Sequence, residues 1–144
     1  MLKKSFVVLS IALFFAVSNF AQTVHTPEKG SAERAAILNA LRVPIEKELK
    51  QKIQFSIDAF NVQSNWAFVN GSPQNATGGE PNYKNTPYSD AIENGAFDNN
   101  FQALLKKSDG KWKVVAYAVG CTDVCWLGWD VKYKAPKTIF PKGE

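Results

Sequence analysis

The chain of 144 residues holds one histidine, His25, and it lies close to the N-terminus. That shortage argues against a histidine triad, a histidine metal cluster or a histidine general base in the core. Cysteine is almost as scarce. Cys121 and Cys125 have no further soft ligands to complete a zinc site, and their Cys-x-x-x-Cys spacing is not the Cys-x-x-Cys of thioredoxin-like chemistry. There is no Gly-x-Ser-x-Gly elbow and no phosphate-cradling glycine loop. The acidic, amide-rich stretch at 90–100 lacks the spacing of a calcium loop. The net charge of +4 comes from scattered lysines, which argues against nucleic acid as a partner. No cofactor, metal or catalytic residue is therefore expected.

Long apolar runs are also missing, except at the start. Lys3 and Lys4 precede a run over 6–17 broken only by Ser10. This suits a signal-peptide core and is short of the about 20 apolar residues that span a bilayer. Residues 1–21 are read as a signal peptide cleaved after Ala21, with Ser18 as the alternative, so the protein is expected to be secreted or periplasmic. Cleavage would leave one domain and no stable membrane span. It would also lower the net charge from +4 to +2, since Lys3 and Lys4 are lost with no acid. Lys132, Lys134, Lys137 and Lys142 could brush an anionic envelope surface, although a solvated basic face is the plainer reading. An oxidising compartment permits a Cys121–Cys125 disulfide, whereas regular helix across the pair would make its geometry awkward.

Residues 22–30 read as a flexible leader and 31–144 as one domain. Ser31 is a good N-cap with Glu33 in the first turn, and Ile37, Leu38, Leu41, Ile45 and Leu49 follow helical spacing. Pro44 inside that pattern predicts a bend. A strand follows, in which Ile53, Phe55 and Ile57 alternate with polar residues. Phe60 and Val62 then occupy the other phase, so a bulge is expected near Asp58 and Ala59. A turn at 63–65 leads to a second strand at 66–69, paired antiparallel to the first.

Residues 71–95 read as a long loop, with a helical turn at 90–94 and Tyr83, Tyr88 and Ile92 packing down. Strands are expected at 97–106 and 112–119 around an Asp109-Gly110 hairpin turn. The fourth strand is apolar on both faces and so is expected to be central or covered on both sides. Thr122 or Asp123 would cap a short helix carrying Val124, Leu127 and Val131, stopped by Pro136. Ile139 and Phe140 would dock the tail.

The expected fold is α+β: a Pro-bent N-terminal helix on a curved four-stranded antiparallel sheet. Its element order resembles the cystatin-like and nuclear-transport-factor-like cones. A second resemblance rests on short pieces along most of the chain after residue 21. They run Gly30-Ser31-Ala32-Glu33-Arg34, Ala36-Ile37-Leu38 and Ala40-Leu41-Arg42-Val43-Pro44, then Asn65-Trp66-Ala67-Phe68-Val69. Ala103-Leu104-Leu105, Gly110-Lys111-Trp112, Val119-Gly120, Thr122-Asp123-Val124, Trp126, Trp129 and Ala135-Pro136 follow. Together they resemble a family of small exported bacterial proteins of unassigned activity. The resemblance implies export, a bacterial source and a single domain, and it carries no catalytic residues.

Three groups could still form a site. Arg34 projects within the apolar helix stripe, so it either snorkels to water or meets an anion in a pocket, with Asp98 or Asp123 as internal candidates. Asp58, at the bulge, could act as a general base on an open sheet, or simply face water. Trp126, Trp129 and Tyr133 could share a helix face, either closing the core or offering an aromatic platform with Tyr83 and Tyr88 at its edge. The reading adopted is a non-enzymatic binding or interaction module of the bacterial cell envelope, recognising an envelope protein, peptide or glycan. The alternative is a small-molecule binder or isomerase- or dehydratase-like enzyme with a pocket between helix and sheet. A second alternative is an inhibitor of a secreted hydrolase.

Overall fold

The structure, a computed structural model, describes residues 22–142; the expected signal peptide and its cleavage site lie outside them. The element order is α1 (Ala32–Leu49), β1 (Gln54–Gln63), β2 (Trp66–Gln74), α2 (Ser89–Glu93), β3 (Phe101–Ser108), β4 (Lys111–Val119) and α3 (Trp129–Tyr133). A short 3-10 turn over Lys137–Ile139 follows. The four strands form an open antiparallel sheet in the order β1-β2-β3-β4.

Helix α1 starts where Ser31 Oγ accepts from the Arg34 amide at 3.2 Å, and it runs through Pro44 to a left-handed cap at Lys50. Ile37, Leu41, Ile45 and Leu49 are buried against one sheet face. Each contributes about 2 kcal/mol through removal from water. The opposite sheet face is covered by the C-terminal segment, where Ala135, Ile139 and Phe140 pack with Trp66, Phe68 and Leu104. The protein thus has three layers, with the sheet in the middle. Covered on both faces, β2 and β3 carry unbroken buried runs at 66–69 and 101–105.

The register slips between Ile57 and Ala59, placing the expected bulge at Asp58. A second slip lies between Leu104 and Leu105 of β3, whose partners on β4 are Ala116 and Val114, so Val115 is the extra residue. Trp112 and Val114 before this bulge, and Tyr117 and Val119 after it, all belong to the helix-side core.

The expectation that β4 is central or covered on both faces holds through its second alternative: both faces are covered, while the strand lies at the sheet edge and residues 114–118 are half-buried. Other expectations are corrected. β3 begins at Phe101, after Asn100 has turned to bond Cys121, rather than at Phe97. β2 continues past Val69 to Gln74, which shortens the expected loop. Pro73 is accommodated there because β2 beyond Gly71 pairs with β1 alone, leaving one side without a ladder. Gly71 itself is needed opposite the Asp58 bulge: a Cβ there would lie 1.9 Å from the Ser56 carbonyl oxygen. Residues 22–30, expected as a leader, bear an isolated bridge in which His25 and Val62 exchange backbone hydrogen bonds of 2.9 and 2.8 Å.

Candidate functional site

The C-terminal segment carries a surface groove bounded by the disulfide turn. Cys121 and Cys125 are bonded, with Cα atoms 6.2 Å apart. No regular helix crosses them. The expected helix over Val124, Leu127 and Val131 shrinks to α3, because the bridge closes a turn and Gly128 takes φ 78° just before Trp129. The sheet grips this loop through side-chain amides. Asn100 accepts from Cys121 N at 3.0 Å and donates to Cys121 O at 2.7 Å. Gln102 accepts from Trp126 N at 3.1 Å. Further along, Asn61 donates to the Ile139 carbonyl at 2.8 Å.

Trp126 stacks on Phe140 with centroids 5.6 Å apart and meets Phe68 edge-on at 5.8 Å. This stack brings 126–130 beside 137–142 and leaves a groove of about 530 Å³ between them. Its lining includes Trp126, Leu127, Phe140 and Pro141, with Lys137, Lys142 and Asp130 as the charged groups. Leu127 and Val131 are 69% and 78% exposed, and Val124 is 40% exposed. The aliphatic side chains expected on a short helix here are thus largely open to solvent.

The expected site residues divide between the two sheet faces. Trp126, Trp129 and Tyr133 pack on the C-terminal side. Tyr83 and Tyr88 lie on the helix side, around Phe97, and do not extend the tryptophan surface as expected. Arg34 and Asp58 both line a recess of about 450 Å³ that also includes Lys29 and Phe60. Arg34 donates to the Pro27 carbonyl at 3.1 Å, and its guanidinium lies 4.8 Å from the Phe60 ring centre. Its hydrogen-bond partner is thus the segment before α1, not Asp98 or Asp123. Asp58 is exposed.

A carboxylate missed by sequence reasoning occupies the other end of α1. Glu48 accepts from Tyr88 through one oxygen and from Tyr117 through the other. Burial, reinforced by the Glu48 hydrogen bond, pushes Tyr117 up to about 12. The same two causes hold Tyr88 above the usual tyrosine range, whereas burial followed by the charge of Glu80 raises Tyr83. Glu48 stands seven residues after Leu41 and three after Ile45, so it shares the apolar stripe, as Arg34 does. The test that picks out Arg34 would have found it too. A recess of about 490 Å³ beside it includes Lys47, Lys50 and Pro87.

Comparisons of the chain with family models, curated proteins and solved structures gave no match. The resemblance to small exported bacterial proteins thus rests on the residue pattern alone.

Proposed function

We propose that the protein is a non-enzymatic binding module exported to the bacterial cell envelope, and that its site is the groove between 126–130 and 137–142. One observation carries this reading. The groove has an aromatic floor made by the Trp126–Phe140 stack, a free aliphatic side chain in Leu127, and two ammonium groups, Lys137 and Lys142, on its walls. Apolar floors with a few placed polar groups are the usual form of a binding pocket. The N-terminal sequence pattern supports export, and the disulfide suits an oxidising compartment. The helix-then-meander order supports the finer fold reading, a cystatin-like or nuclear-transport-factor-like cone with α1 bent at Pro44. The test is capture on peptide and glycan arrays. Wild-type protein should bind a set of ligands that Leu127→Asp does not. Equal binding by both would remove the groove from consideration.

A second reading keeps the small-molecule hypothesis. Arg34 and Asp58 share one recess, so a carboxylate-bearing ligand could meet the guanidinium there. Loss of turnover or ligand binding in Arg34→Ala and Asp58→Asn, with arrays blank, would favour it. Nothing in the geometry singles out the hydrolase-inhibitor reading.

A further inference from the structure

We propose that the occupant of the groove face is an anionic lipid surface, into which the segment 124–131, anchored at its start by the Cys121–Cys125 disulfide, inserts its aliphatic side chains. The proposal rests on the groove being the binding site and names its partner. This segment exposes Val124, Leu127 and Val131, the last two at 69% and 78%. Trp129 and Tyr133, edge-to-face at 6.4 Å and half-buried, stand behind them. Aromatic rings with one wet side favour the level of lipid headgroups. Lys132, Lys134, Lys137 and Lys142 follow Val131, opposed on 121–142 by Asp123 and Asp130 only. This segment alone accounts for a net charge of +2, the whole excess of the chain after residue 21. Each lysine near an anionic leaflet strengthens binding about fivefold.

Charge and shape together favour lipid over protein. A stable protein partner covers roughly 800 Å² on each side, whereas a single protruding loop can anchor by placing a few aliphatic groups at the acyl boundary. The segment 124–131 is also held firmly. The disulfide, the Asn100 and Gln102 hydrogen bonds and the Trp126–Phe140 stack fix its backbone, so little ordering is lost on insertion.

The experiment is co-sedimentation of protein made from the full-length sequence, disulfide intact, with phosphatidylglycerol–phosphatidylcholine vesicles and with phosphatidylcholine alone. Wild type and variants share the same N-terminus, so a difference between them is set by the substituted positions. The expected result is preference for the anionic vesicles that weakens with salt. It should fall by roughly a hundredfold or more in Leu127→Asp/Val131→Asp, which loses two aliphatic groups and gains two like charges, and about fivefold in Lys137→Gln. All these positions are exposed, and near-UV circular dichroism confirms that the variants fold. Equal affinity for both vesicle types, or anionic binding untouched by Leu127→Asp/Val131→Asp, overturns the proposal. Array ligands lost in Leu127→Asp without vesicle binding also overturn it, yet leave the groove as the site. Blank arrays with no vesicle binding defeat both readings.

Discussion

Tyr117 donates its hydroxyl to Oε1 of Glu48 at 2.5 Å, while Tyr88 takes the other oxygen. One carboxylate thereby joins α1, β4 and the segment between β2 and β3. Glu48→Ala would leave two half-buried phenols without an acceptor, which costs about 1–3 kcal/mol. We expect a lower urea midpoint and faster amide exchange over 83–99. An unchanged midpoint would show that the three elements hold together without it.

The same phenols predict weakness in alkali. Tyr117 moves from an ordinary 10.0 to about 12, with burial the main cause, so folding favours the protonated form. This contribution is complete below pH 10 and is lost as the pH rises from 10 to about 12. Tyr83 and Tyr88 shift in the same direction. Phenolate absorbance and circular dichroism, followed together, should change late and in step. Tyr117→Phe should flatten the loss of stability in that window; a profile identical to wild type would contradict the assignment.

The disulfide closes a very short loop, for which chain entropy gives a stabilisation of about 2 kcal/mol. Asn100 and Gln102 grip the same loop, so reduction should loosen the tip while the sheet and α1 survive. Cys121→Ser/Cys125→Ser should therefore lower the thermal midpoint modestly and weaken groove binding more than it weakens the fold. A global collapse would mean that the loop is integral to the core.

Two glycines are irreplaceable for different reasons. At Gly120, with φ 81°, a Cβ would lie 2.2 Å from the Phe97 ring, which supports Tyr83 and Tyr88. At Gly71 the obstacle is backbone, which has less freedom to move than a ring. Both alanine substitutions should cost about 2 kcal/mol or more, with Gly71→Ala the worse in yield and denaturation midpoint. The reverse order would show that β1 can shift at its bulge.

What can be read from sequence here is what local chemistry controls. Ser31 caps α1, four of the five stripe residues are buried with Leu38 half-buried, and Asp109-Gly110, both at positive φ, makes a two-residue hairpin. The bulge at Asp58 is visible because apolar residues change phase around a polar one. Its counterpart at Val115 is hidden, because Val114, Val115 and Ala116 are all apolar and a slip leaves no trace in the pattern. The edge position of β4 depends on pairing between strands, which no single segment encodes. The groove joins 126–130 to 137–142 through one aromatic stack; nothing local to either piece announces the other.

Both bulges fall on the outer strands, and β2 and β3 have a regular ladder between them. An unpaired rim invites another chain to add a strand, and a bulge twists that rim out of register. The bridge from His25 caps Val62 on one rim, and exposed Lys111 and Lys113 charge the start of the other. Aggregation by strand addition is therefore obstructed at both margins.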